Sequence, residues 1–173
     1  MKIMKSLLIA VGLFCCSFAG NAQKFAMVDM EYILSNIPAY EVANVQLEQL
    51  SQKWQKEVEN ISREAETMYD NYKSQMPFLT DEQKKKQEDQ IVAKEKQAAE
   101  LRAKYFGPEG ELYKKRQLLM QPIQDDVYEA VKKVAEERAY MCIFDRASSA
   151  DIIFASPRID VSNEVLAKLG YSK

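Results

Sequence analysis

Between Val42 and Met76 the chain runs for 35 residues without a glycine or a proline. Nothing in that run forces a turn. Its apolar residues fall at Leu47, Leu50, Trp54, Val58, Ile61, Ala65, Met68, Tyr72 and Met76, in steps of three or four. The mean step is about 3.6 residues, the α-helical turn, rather than the ~3.5 of a left-handed coiled coil. The spacing predicts one long helix with a nearly straight apolar stripe, roughly 50 Å long at ~1.5 Å per residue. A compact domain of about 150 residues has no core that deep, so the helix is expected to project.

Pro77 ends the run, because it lacks an N–H and its ring clashes with the preceding turn. Thr80 followed by Gln83 reads as a capping box that opens a second helix, reaching about Phe106. Two helices joined by so short a connection run antiparallel. Residues 42–106 are therefore expected to form a helical hairpin with its tip near 76–80. The segment from Ser51 to Lys104 holds 11 basic and 11 acidic residues, which gives a solvated surface without net charge. The stripe on the second helix is thin: Ile91, Ala98, Leu101 and Tyr105, with Lys94 and Glu95 between the first two. The tip is apolar, Met76-Pro77-Phe78-Leu79 between polar flanks. Two readings of it stand. Its apolar groups are kept available for a partner, or Phe78 and Leu79 fold back on Tyr72 and Met76 as a plug.

The flanking segments read differently. Residues 24–29, KFAMVD, alternate like a short strand. A turn-like entry follows, in which Pro38 and Glu41 suit a first helical turn and Asn36 is one candidate cap. FGPEG at 106–110 interrupts the returning helix. Helix resumes with Leu112, Leu119, Ile123, Val127, Val131 and Val134 on one face, and Pro122 is a second candidate bend. YMCIFD (140–145) and DIIFA (151–155) read as two strands of a hairpin around RASSA. Ser162 is the expected cap of a last short helix, closed by Gly170. The fold class is α+β, mostly α: a long antiparallel helical hairpin projecting from a small β-containing body of residues 23–41 and 107–173. Three short strands make a poor sheet alone, and apolar edges invite other chains, so a closed homo-oligomer of low order is expected.

The first 22 residues read as a leader: Lys2 and Lys5, an apolar stretch from Leu7 to Phe14, then small residues up to Ala22. That is a cleaved secretory signal peptide, too short to span a bilayer as a mature helix. Its removal takes away two lysines and shifts the formal charge from −2 to −4. This balance argues against nucleic acid as a partner and weakly against anionic lipid surfaces. One cysteine, Cys142, remains, so no internal disulfide is expected. The chain has no histidine, which removes histidine-based triads, the usual zinc sites and the commonest general base. Its five glycines spell no phosphate-binding loop or dinucleotide fingerprint. The pairs Asp81-Glu82, Asp125-Asp126 and Glu136-Glu137 read as solvated helix charges. No catalytic residue, metal or cofactor is expected, and the chain is not read as an enzyme.

In order, FAMVDMEYILSNIP, the charged hairpin, YFGPEGELYKKRQ, QPIQDDVYEAVKKVAEERAYMCIFD and the closing IDVSNEVLAKLGY resemble the Skp/OmpH family of periplasmic chaperones. The resemblance covers essentially all of the mature chain. It implies a homotrimer in which strands of three chains form a small body and three hairpins surround a cavity. It also implies ATP-independent holding of unfolded outer-membrane β-barrel proteins, with room for transient contact with a membrane surface. By this resemblance Val28, Ile143, Phe144, Ile152, Ile153 and Phe154 fall in the trimer body. The better-known members are strongly basic and this chain is not, so client capture is expected to be mainly apolar, through Trp54, Met68, Tyr69, Tyr72, Met76, Phe78 and Leu79. The alternative is a structural coiled-coil spacer or adaptor in the cell envelope.

Overall fold

A computed structural model of the chain describes residues 24–148 and 152–171; the expected leader lies outside them. The chain divides into two compact units. One comprises the described residues up to Asn36 and from Asp126 on, and the other is Ile37–Asp125. The division falls at 36/37 and 125/126, not at the expected 41/42 and 106/107, since residues 107–125 group with the hairpin.

In the unit Ile37–Asp125, helix α2 (Pro38–Gln75) follows a short helix α1 (Met30–Ser35) that the sequence reading passed over as a turn. Asn36 does not cap α2. It ends α1, with its side-chain amide donating to the Tyr32 carbonyl at 2.8 Å, and Ile37 takes the N-cap position with Pro38 in the first turn. The apolar stripe of α2 is as spaced. Leu47, Val58, Ala65 and Tyr72 are buried, Leu50, Trp54, Ile61 and Met68 half-buried, and Met76 alone is exposed. A 3₁₀ turn, Met76–Phe78, follows at the proline. Helix α3 (Asp81–Phe106) opens with the expected capping box. The Thr80 N–H donates to Gln83 Oε1 at 2.9 Å, and the Gln83 N–H donates to Thr80 Oγ1 at 3.3 Å.

The break after α3 is a close approach of backbone to backbone. A Cβ on Gly110 would lie 2.7 Å from the Tyr105 carbonyl oxygen, so only glycine fits there without a shift. Helix α4 (Glu111–Arg138) then runs on with Pro122 inside it. Its buried line is Met120, Ile123, Val127, Ala130 and Val134, while Leu112, Leu119 and Val131 are half-buried.

In the other unit, β1 (Phe25–Val28) pairs with β2 (Cys142–Asp145) in parallel, Phe25 opposite Cys142 and Val28 opposite Asp145. Parallel neighbours need a long crossover; here it is everything from 29 to 141. Met27 bridges to Asp160 as well, and the Val161 N–H donates to the Met27 carbonyl at 2.8 Å. The hairpin expected from 140–145 and 151–155 does not form. Residues 152–155 have no regular structure, and Asp151 lies outside the described residues. Apolar β-branched runs state a preference for pairing but not a partner, and β1 takes β2 instead. The last helix, α5 (Ser162–Lys168), has Val161 and not Ser162 at its N-cap. It closes at Gly170, whose φ of 84° is the left-handed conformation that glycine adopts freely. Helices α1 and α5 pack together, and Ala26, Ile33, Val127, Val134 and Val165 are fully or almost fully enclosed.

Candidate functional site

Three features stand out: the seam of the α2–α3 hairpin, its tip, and the exposed apolar residues on and after β2. The seam is antiparallel. Trp54 stacks on Tyr105 with ring centroids 4.8 Å apart and planes within 6°. The Tyr105 hydroxyl donates to Glu57 at 3.0 Å, Lys94 reaches Glu64 at 2.6 Å, and the Tyr72 hydroxyl donates to Glu88. The Glu88 carboxylate, and then burial, push the Tyr72 phenol above its ordinary pKa. Burial first, and then Glu57, do the same for Tyr105. Each tyrosine thus stays protonated and serves as a donor.

This geometry divides the residues expected to meet a client. Trp54, Met68 and Tyr72 face inward, and Tyr72 is only 8% exposed. Tyr69, Met76 and Phe78 face solvent, Phe78 being 87% exposed, and Leu79 is half-buried. Phe78 therefore does not fold back as a plug.

In the other unit Val28 is spent on the chain's own core, Ile143 and Ile152 are half-buried, and Phe144, Ile153 and Phe154 are exposed. Phe25 and Phe144 sit side by side, with ring centroids 6.3 Å apart.

Sequence reasoning missed a polar clasp that joins three distant segments. Arg146 donates through Nε and Nη2 to Asp29 Oδ2 at 3.1 and 2.9 Å, and its Nη1 lies 3.4 Å from Asp160. Buried Ser162 donates to Asp160 Oδ1 at 2.6 Å and accepts the Asp29 N–H at 2.8 Å. Asp29 lies more than a hundred positions from both Arg146 and Ser162, and Arg146 meets Asp160 across the intervening segment, so no spacing rule could have joined these segments; only Asp160 and Ser162 are close in sequence. Asp29 is held below the usual carboxylate range by the Tyr32 N–H and, against some burial, by Arg146. Burial pushes Asp145 up, but Ser148 and the N–H groups of Met30, Ala147 and Ser148 outweigh it and hold it low.

A carboxyl whose folded pKa is depressed adds stability above its unfolded value, about 3.9, and loses it as pH falls through the folded one. This unit should therefore lose stability from about pH 4 downward. Asp145→Asn should be less stable than wild type at neutral pH and show a flatter acid limb in urea titrations. Parallel acid limbs for the two proteins would remove Asp145 from this account.

Among the described residues no group of three or more histidines, cysteines or acids could hold a metal ion. Among them, too, no helix is long and apolar enough to cross a membrane. The arrangement can bind and clasp.

A family model described as outer membrane protein (OmpH-like) matches residues 24–169. No curated protein matches the chain. A solved structure from Caulobacter crescentus, provisionally assigned as an OmpH-like outer membrane chaperone, superposes with a TM-score of 0.66 at 11% identity, over 87% of this chain and 86% of that one. At that identity the likeness speaks for the fold.

Proposed function

The chain belongs to the OmpH-like outer membrane protein family, and from that premise we propose that it is an ATP-independent holdase of the periplasm. It binds unfolded outer-membrane β-barrel proteins and keeps them from aggregating. One observation carries the reading: the hairpin ends in apolar groups left in water. Met76 is 46% and Phe78 87% exposed at the end of two helices with balanced charge. A side chain of this kind gains roughly 1.5–3 kcal/mol on full burial, and ordering a flexible client offsets part of that. A rigid envelope spacer fits less well, because a strut wants a continuous apolar seam and α3 places Lys84, Gln87 and Lys94 along its inner line. The test is dilution of a urea-unfolded β-barrel protein into buffer with the mature chain and no ATP, followed by light scattering. Suppression near stoichiometric amounts is expected; scattering equal to that of the client alone would overturn the reading.

The working form is a homotrimer joined through the strand-bearing unit. A two-stranded sheet is marginal in water, and the same unit leaves Phe144 of β2, and Ile153 and Phe154 after it, exposed. Ile153 is 101% exposed, so Ile153→Asp costs the single chain's fold little. In a trimer that covers this position the same change buries an unpaired charge, at a cost of several kcal/mol. Sedimentation should show monomer with an unchanged helical circular dichroism spectrum. A variant that remains trimeric would place the interface elsewhere.

A further inference from the structure

The most apolar face of the hairpin is the one its own second helix covers. Trp54, Val58, Met68 and Tyr72 all lie on the covered face of α2. The cover is a weak one. The inner line of α3 runs through 84, 87, 91, 94, 98, 101 and 105, and three of those positions, Lys84, Gln87 and Lys94, are polar. The side chains of Lys94 and Glu64 remain 33% and 58% exposed, so water competes for their pairing. Where Ala65 and Ala98 both fall in the seam, the small side chains leave a groove of about 420 Å³. A second groove opens toward the tip between Met68, Gln87 and Ile91. Polar links of the Tyr72–Glu88 and Tyr105–Glu57 kind set register more than they add stability.

The cover can also leave intact. The sequence of α3 is dominated by Lys, Glu, Gln and Ala, strong helix formers, and it has its own capping box. At 26 residues α3 is longer than the ~12–15 below which isolated helices are marginal, so separation from α2 does not require α3 to unfold first.

We propose that α3 is a displaceable cover, which swings off α2 to offer Trp54, Val58, Met68 and Tyr72 to an apolar segment of an unfolded chain and returns when that segment leaves. The inference rests on the holdase reading and adds a second, hidden binding surface to the open tip. Multivalent capture by tip and seam then comes from one hairpin.

Hydrogen exchange combined with the aggregation assay on the whole mature chain tests this. Lys94→Leu with Ala98→Leu closes the seam. It should slow exchange of α3 amides about tenfold or more and lower the capacity to hold a urea-unfolded β-barrel protein severalfold. Lys94→Leu alone, which adds no bulk beside Ala65, should act in the same direction and guards against a variant that packs badly. Ile91→Ser should speed exchange and leave capture equal or greater. A tightened seam with slowed exchange and wild-type capture overturns the inference alone, as does a tightened seam whose exchange is no slower. A wild-type chain that holds no client overturns the holdase reading, and this inference with it.

Discussion

Val165→Asp leaves the unit built from the two chain ends unfolded at room temperature. Val165 is fully enclosed on α5, which packs against α1. A carboxylate there loses its water without gaining a partner, and a neutral carboxyl still loses most of its hydrogen bonds; either costs several kcal/mol. Domains of this size hold only about 5–15 kcal/mol in all, and the short helix α5 has few other apolar groups to spend. Near-ultraviolet circular dichroism should lose the tyrosine signals of this unit, and its cooperative thermal transition should vanish. Helical signal from the hairpin should persist, because α2 and α3 belong to the other unit. A transition within a few degrees of wild type would mean that α5 does not sit in the core.

The second large effect concerns binding and not stability. Replacing Met76, Phe78 and Leu79 together with serine should cost roughly 2–4 kcal/mol of client affinity, since each apolar side chain offers about 1.5–3 kcal/mol at best and ordering takes part of it back. The thermal transition should scarcely move, because Met76 and Phe78 are exposed and Leu79 is only half-buried. Sodium chloride should matter little over the same range of client concentrations. The segment from Ser51 to Lys104 carries equal numbers of either sign, and exposed ion pairs are weak. Flexible methionine suits varied clients, and release of each weak contact in turn requires no ATP. Fluorescence titration of a labelled, unfolded β-barrel protein at low and high salt decides the matter. Steep weakening by salt, with the serine variant unaffected, would assign the holding to charge.

Residues near one another in the chain determined the hairpin. The stripe from Leu47 to Tyr72, the stop at Pro77, the box of Thr80 and Gln83 and the break at Gly107-Pro108 are all statements about a few neighbouring positions. Helical hydrogen bonds close over four residues, so such signals survive without knowledge of the rest of the molecule. The place and apolar character of the tip at Met76 and Phe78 were legible for the same reason, but not whether those groups stay in water or fold back as a plug; the structure leaves both exposed. The tertiary structure decided what depends on distant partners. It paired β1 with β2 across the whole hairpin and left residues 152–155 without a strand. It used Ser162 to tie Asp160 to the Asp29 backbone and gave the α5 cap to Val161, and it turned Trp54 and Tyr72 inward onto Tyr105 and Glu88. A strand's composition states that it wants an edge but not which one. A tyrosine on an apolar stripe can serve a client or a neighbouring helix equally well, until packing brings that helix within hydrogen-bonding distance.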